Sequence, residues 1–352
     1  MFPAISIANA LKSKRQELDI LFVGAEGKLE MEKVPEAGYP IEGLPVTGLY
    51  RGFSLKNIFF LINLFRSLII AGKIINKFQP SVVVGVGGYA SAPVLWQAGK
   101  KGVPVLIQEQ NSFAGMTNKL LGKRAEKICV AYEGMEKYFP EKKVILTGNP
   151  VRQDLDQLEK KNREAMKYFG LEKGPETVLV LGGSGGAKTI NESIMSRVGR
   201  IKNENIQIIW QTGKFYQQKA EEALSPGGAD NIKIFPFINR MDLAYSAANV
   251  IISRAGAGTI SELYIVGKPV LLVPSPNVAD DHQTKNAQVL AEKNAAIMVK
   301  DNEARETLLD VVLELSADKE KKESLSVNIR KMAVRNSADL IAEEVLKLMK
   351  VN

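Results

Sequence analysis

Asn249-Val-Ile-Ile-Ser-Arg-Ala-Gly-Ala-Gly-Thr-Ile-Ser-Glu262 opens with an apolar, β-branched run and turns, at Ala255-Gly-Ala-Gly-Thr259, into residues with helical spacing. The run reads as a buried strand, and a strand that breaks through glycines into a helix is the repeating unit of a parallel α/β sheet. A helix starting there offers free backbone N–H groups and the positive end of its dipole, which suits a diphosphate. One turn beyond the loop, Glu262 is an acceptor-only carboxylate able to take two hydrogen bonds from a ribose diol. After a further apolar stretch comes Asp280-Asp-His-Gln-Thr-Lys-Asn286, in which Gln283 and Asn286 pair donors with acceptors for sugar hydroxyls. Phosphate, ribose and sugar contacts together read as a nucleotide-sugar pocket. A structural reading stands beside it: glycine turns also occur in α/β domains without phosphate, and a glutamate near a helix start complements the dipole. Asp280-Asp281 equally fit an N-cap pair for a helix from Gln283 to Lys293.

Outward from this stretch the order strand, turn, helix recurs. Thr177-Val-Leu-Val-Leu181 leads into Gly182-Gly-Ser-Gly-Gly-Ala187 and a helix from near Ile190. Further strands are read at Ile206–Trp210, Ile232–Phe235, Val250–Ser253 and Val270–Val273, and in the first half at Ile20–Gly24, Ser81–Gly85 and Val103–Ile107. At 352 residues the chain is long for one core. The alternation predicts an α/β chain of two doubly wound, Rossmann-like domains facing a cleft, with ligand loops at the carboxyl ends of the strands. Turn residues at Gly148-Asn-Pro-Val-Arg152, before a charged, strandless segment through Lys173, place the boundary. The expected domains are 1–151 and 152–335. A C-terminal helix within 336–352, apolar at Leu340, Ile341, Val345, Leu346 and Leu348, is expected to pack back on the first.

A formal net charge of +8 points to anionic partners. The Lys and Arg residues are scattered, and neither zinc-finger spacing nor an aromatic RNA-binding signature is present, which argues against nucleic acid. Cys129 and His282 are the single cysteine and histidine. Disulfides within the chain are thereby excluded, a reducing compartment is expected, and no soft or imidazole ligand set for zinc exists. A Ser/His/Asp or Cys/His triad would depend on His282 alone. Catalysis then rests on carboxylates, amides and backbone dipoles, with no metal and no cofactor expected.

Three other loops could carry chemistry. Gly182–Ala187 offers backbone N–H groups and the Ser184 hydroxyl, although it lacks the four residues between glycines that an ATPase loop needs before Lys188-Thr189. Gly87-Gly-Tyr-Ala-Ser91 is a candidate anion nest or a pair of close-packing glycines. Gln108-Glu-Gln-Asn111 follows an apolar strand, where polar side chains meet substrate or solvent. Asp154-Leu-Asp156 has the look of a metal-binding carboxylate pair, but its place at a helix-like start favours dipole capping. The N-terminus reads as an amphipathic helix with Pro3 in its first turn. Ile58–Ile70, broken by Asn63 and Arg66, reads as another. Phe59, Phe60, Ile62, Leu64 and Phe65, flanked by Arg51, Lys56 and Lys73, could dip into an anionic membrane surface; Ile58, Leu61, Ile62 and Phe65 could instead pack on the sheet.

At these motifs the sequence resembles the bacterial MurG family over nearly its whole length. The markers are Gly87-Gly-Tyr89, Gln108-Glu-Gln-Asn111, Gly148-Asn-Pro-Val-Arg152, Gly182-Gly-Ser-Gly-Gly-Ala187, Arg254-Ala-Gly-Ala-Gly-Thr-Ile-Ser-Glu262 and Asp281-His-Gln-Thr-Lys-Asn286. The resemblance implies a GT-B fold and inverting, metal-independent transfer of N-acetylglucosamine from UDP-N-acetylglucosamine to a lipid-linked muramyl-pentapeptide. It places the enzyme peripherally on the cytoplasmic face of the plasma membrane. It also implies that Ile238 presents backbone groups to uracil, Glu262 holds the ribose, and Ser184 with Ala257, Gly258 and Thr259 lines the phosphates. Asn111, Arg152, Arg254, His282, Gln283 and Asn286 would contact the donor, and Gly87, Gly88, Tyr89 and Glu109 the acceptor.

Family members begin with a strand and a Gly-Gly-Thr-Gly-Gly-His loop ahead of the Phe-Pro-Ala helix with which this chain opens, and Gln108 stands where relatives often have histidine. The family's candidate base lies in that loop, so no base is assigned here. A start codon placed too far downstream is the expected cause. Alternatives to lipid II synthesis are another UDP-sugar glycosyltransferase or epimerase, or a donor-binding, inactive chain.

Overall fold

The computed structural model describes residues 1–46, 56–151, 155, 158–183, 185–225, 228–278 and 281–349, without the side chains of 56–58. Arg51, Arg152, Asp154, Asp156, Ser184 and Asp280, and the side chains of Lys56 and Ile58, therefore lie outside the described residues. The chain divides into two compact units, Met1–Val151 with Val334–Asn352, and Arg152–Ala333.

In the first unit the order is α1 (Phe2–Lys14), β1 (Phe22–Ala25), α2 (Glu30–Glu36), β2 (Ile41–Leu44), α3 (Lys56–Phe78), β3 (Val83–Gly85), α4 (Ser91–Lys100), β4 (Val105–Glu109), α5 (Met116–Gly122), β5 (Lys127–Val130) and β6 (Val144–Leu146). The helix Ser337–Met349 returns to it at the end of the chain. Every pair is parallel, but the strands form two sheets, β1-β2 and β3-β4-β5-β6, rather than the single doubly wound sheet expected. On one face Ile7, Ala10 and Leu11 of α1 and Ile341, Ala342 and Val345 of the returning helix bury Leu106 and Cys129. On another, Ala71 and Ile74 of α3 meet Leu44, with Leu21, Val23 and Val94 packed around them. Gln108 and Glu109, expected in a loop, are the last two residues of β4 and are buried.

The second unit runs α6 (Asn162–Phe169), β7 (Glu176–Leu181), α7 (Lys188–Met195), α8 (Val198–Ile201), β8 (Ile206–Gln211), α9 (Gln217–Leu224), β9 (Ile232–Phe235), α10 (Met241–Ala247), β10 (Val250–Ser253), α11 (Ala257–Val266), β11 (Val270–Leu272), α12 (His282–Glu292), β12 (Ile297–Met298), α13 (Asp301–Ala317) and α14 (Lys319–Lys331), after which the returning helix is α15. Its six parallel strands lie in the order β12-β11-β10-β7-β8-β9, so the winding reverses between β7 and β10. Both faces of this sheet are covered, and its strands are accordingly apolar throughout, with Val178, Val180, Ile208, Trp210, Val250 and Ile252 in one core. Ser253 pairs with Leu181, so β7 and β10 end level and their following loops emerge side by side at the point where open α/β sheets bind ligands.

Candidate functional site

The loop after β10 is the more open of the two. Gly256 is the N-cap of α11, and no side chain caps that helix. A Cβ on Gly256 would meet only Thr259 Oγ1, at 3.9 Å, and one on Gly258 would meet nothing within 4 Å. Gly258 is exposed, and Ala257 and Thr259 are half-buried. The first-turn N–H groups, with no side chain as a cap, are thus presented at an accessible surface carrying the positive end of a ten-residue helix.

The loop after β7 is braced from behind. Gly182 N–H donates to Gln211 O at 3.1 Å. Gly186 has φ +85°, and a Cβ on Gly213 would lie 2.2 Å from the Gly186 nitrogen. These two glycines allow the β7 and β8 loops to touch backbone to backbone, a close approach that the sequence reading of Gly182–Ala187 as a phosphate or sugar contact did not include.

Glu262 sits on α11 one turn past the loop, half-buried. The hydroxyl of Tyr245, on α10 and 1% exposed, donates to Glu262 Oε2 at 2.9 Å. This contact orients the carboxylate. Sequence reasoning missed Tyr245, which carries no local signal because its partner lies on another helix. Ile238 is buried, and its N–H donates to the Oε1 of buried Gln211 at 3.0 Å. Of its backbone groups, the N–H is engaged inside the protein.

Several polar residues expected to reach the ligand are turned to the backbone. Arg254 Nη1 donates to Val273 O at 2.9 Å, to Pro274 O at 3.2 Å and to Asp301 Oδ1. Asp301 Oδ2 accepts from Thr189 Oγ1 at 2.8 Å. Arg254 and Asp301 therefore tie together the loops after β10 and β11 and the starts of α7 and α13. Gln283 Oε1 accepts from Ser275 N–H at 2.8 Å, and fully buried Asn286 donates from Nδ2 to Ala255 O at 3.3 Å. His282 is the half-buried first residue of α12. Asp281 occupies the N-cap in a left-handed conformation, and its Oδ1 accepts from Thr284 Oγ1 at 2.7 Å rather than from the helix backbone. Among the described residues no cluster of three or more His, Cys, Asp or Glu side chains could hold a metal ion.

In the first unit, Glu109 is 3% exposed and its two oxygens accept from Asn111 N–H (3.0 Å), Gly115 N–H (3.0 Å) and Asn118 Nδ2 (2.8 Å). Its carboxylate shapes the loop after β4 and is not offered at a surface. Gln108 Nε2 donates to Asn149 Oδ1 (2.6 Å), Asn149 Nδ2 to Gln110 O (2.9 Å), and Gln110 Nε2 to Val86 O (2.8 Å). That relay links the ends of β3 and β4 to the loop after β6. Gly87 and Gly88 have φ of +87° and +83° with no atom within 4 Å of an added Cβ, and Tyr89 is 59% exposed. They form an open turn before α4.

Two family descriptions match the chain: the glycosyltransferase family 28 N-terminal domain over residues 1–130 and the family 28 C-terminal domain over residues 177–343. The chain is 53% identical over 349 residues to the UDP-N-acetylglucosamine–N-acetylmuramyl-(pentapeptide) pyrophosphoryl-undecaprenol N-acetylglucosamine transferase of Parabacteroides distasonis, an alignment covering 99% of this chain and 95% of that one. It is 55% identical to the enzyme of the same name from Phocaeicola vulgatus, covering 99% and 93%. Among solved structures, the crystal structure of Acinetobacter baumannii MurG superposes with a TM-score of 0.77 at 27% identity, covering 98% of this chain and 95% of that one. These likenesses run the length of both units and include the reversal point at which the candidate loops meet, and on them the chain is a member of the MurG family of family 28 glycosyltransferases, with the two-domain GT-B fold.

Proposed function

We infer that the chain transfers N-acetylglucosamine from UDP-N-acetylglucosamine to the undecaprenyl-pyrophosphoryl-muramyl-pentapeptide, the step that converts lipid I to lipid II. The observation that carries this reading is the open start of α11 at the sheet's reversal point, one helical turn from a carboxylate already oriented by Tyr245. The N–H groups of Ala257, Gly258 and Thr259 take the diphosphate, with Ser184 and Arg152 as further phosphate contacts. As the anomeric bond breaks, negative charge grows on the departing UDP, and the helix start stabilises it with no reorganisation. Glu262 accepts from the ribose diol. The carbonyl of Ile238, whose N–H is held by Gln211, faces the uracil. His282 lies at the sugar end, while Arg254, Gln283 and Asn286 hold the loops that shape the pocket. Asn111, Gly87, Gly88 and Tyr89 serve the acceptor and the reacting sugar, and Glu109 fixes the loop that carries Asn111.

The acceptor's polyprenyl tail cannot leave a bilayer, and a peripheral site on the cytoplasmic face is the arrangement that meets both substrates. α3 supports it: Phe59, Leu61, Ile62, Phe65 and Ile69 are all exposed, while Ser67, Ala71, Ile74 and Ile75 face the core. The alternative packing face, through Leu61, Ile62 and Phe65, is the outward one. Phe59–Phe78 is also long and apolar enough to cross a membrane by length and composition, but the same helix contributes Ala71 and Ile74 to the core against Leu44. Surface contact with anionic lipid is the reading that leaves this core intact.

Calorimetric titration with UDP tests the donor site. Glu262→Ala is expected to weaken binding by about 1.5–3 kcal/mol, the range for hydrogen bonds to a charged group. Unchanged affinity would remove Glu262 from the site. Transfer to a lipid-linked muramyl-pentapeptide, followed as formation of the disaccharide lipid, distinguishes this reaction from epimerisation, which consumes the donor without any acceptor.

A further inference from the structure

At the carboxyl end of the second unit's sheet, four strands finish side by side. Val299 N–H, just past β12, donates to Leu272 O, and Val273 N–H, just past β11, donates to Ser253 O, both at 2.9 Å, while Ser253 of β10 pairs with Leu181 of β7. Asp301 follows Val299 by two residues and opens α13. An aspartate in a first turn ordinarily complements the helix dipole, and its position in the sequence suggests no more than that. Its carboxylate nevertheless faces other elements. Oδ1 accepts from Arg254 Nη1 and Oδ2 from Thr189 Oγ1 at 2.8 Å, partners 47 and 112 residues away in the chain. Arg254 lies between the end of β10 and Gly256, the N-cap of α11. Thr189 is the second residue of α7, directly behind the loop Gly182–Ala187. One carboxylate at the sheet's β12 edge thus reaches past β11 to both loops at the reversal point. The Arg254 and Asp301 side chains are only 18% and 22% exposed, and a charge-assisted hydrogen bond largely withdrawn from water holds its geometry firmly.

We propose that Asp301 is a positioning residue for the donor's diphosphate, fixing the separation of the loops after β7 and β10 by holding Thr189 on one oxygen and Arg254 on the other. The inference rests on the reading of these loops as the diphosphate site. A ligand that takes hydrogen bonds from two loops binds more tightly when their spacing is set before it arrives, because ordering them on binding costs affinity. Neither loop supplies that spacing by itself. No side chain caps α11, and the backbone contact between Gly186 and Gly213 braces the β7 loop towards β8, the side away from β10. Towards β10 the tie runs through Asp301. Uridine, which has no phosphate, is indifferent to this spacing.

Calorimetric titration of the full chain with UDP and with uridine tests the assignment. Asp301→Ala is expected to weaken UDP several-fold and to leave uridine unchanged. Thr189→Val, which keeps the shape of the side chain and deletes only the hydroxyl, is expected to give a smaller loss in the same direction, and Thr189→Ser, which retains the hydroxyl, to restore the parent value. In the Asp301→Ala background Thr189→Val should add nothing, because its acceptor is gone. Equal losses for UDP and uridine, or a lowered thermal midpoint with UDP affinity retained, would overturn the proposal and leave Asp301 a purely structural residue. A parent chain that binds UDP no better than uridine would instead overturn the reading of the loops, and this inference with it.

Discussion

Tyr245 and Glu262 act as a pair in which the buried phenol fixes the carboxylate and the carboxylate meets the ligand. Tyr245→Phe deletes only the 2.9 Å hydrogen bond and leaves the packing of the ring. It is expected to weaken UDP binding by less than Glu262→Ala does, because the carboxylate that meets the ligand remains and only its orientation is loosened. In the Glu262→Ala background the same change should cost nothing further, because the group it orients is gone. Additive losses measured by calorimetry would show that Tyr245 acts on binding by another route. At this scale the sequence was legible where a residue's role follows from its offset along one element, as for Glu262 after the glycine turn. It could not show that Glu109 and Asn286 are buried and Gln283 half-buried, each with a partner that folding brings near, and polar atoms withdrawn from water find such partners first.

Among the elements, the strands of the second unit could be read directly, because strands buried on both faces are unbroken apolar runs. Ile232–Phe235 and Val250–Ser253 have the expected bounds, and Ile206–Gln211 differs by one residue. β2, β5, β6 and β12 were not anticipated. Ile41-Glu-Gly-Leu44 and Lys127-Ile-Cys-Val130 are too short and too mixed to show a period, and pairing with a neighbour is what makes them strands. α3 raised the opposite difficulty: its helical character was evident, but which face turned outward depended on tertiary packing. With Phe59 and Phe65 each 67% exposed, Phe59→Ser and Phe65→Ser are expected to reduce co-sedimentation with anionic vesicles while leaving the thermal midpoint nearly unchanged. Lower thermal stability with retained sedimentation would return those side chains to a packing role.

On the scale of the whole molecule, the two-unit division and the return of the C-terminal helix follow from patterning and turn signals, whereas the split of the first sheet could be seen only in three dimensions. The core that α1 and α15 share encloses Cys129, and burial pushes its thiol from an ordinary value near 9 up to about 12, against a smaller opposing effect of Thr147. The folded thiol thus keeps its proton where the unfolded one loses it. Stability from this group is fully present below about pH 9 and is lost as pH rises towards 12. Alkylation of Cys129 by iodoacetamide at pH 8 is expected to require opening of this core and to accelerate when Ile341→Ala loosens it. Rapid labelling of the parent chain without unfolding would contradict the burial.

Because Ile7 and Leu11 are covered by Ile341 and Val345, the first unit closes its core with residues from both extremes of the chain, while Arg152–Ala333 is contiguous. On the ribosome this sets an order. The second unit can finish folding once its own last strand and helices have emerged. The first, although synthesised earlier, must wait for α15 to clear the exit tunnel, leaving α1 and the sheet beneath it open to chaperones while the whole second unit is made.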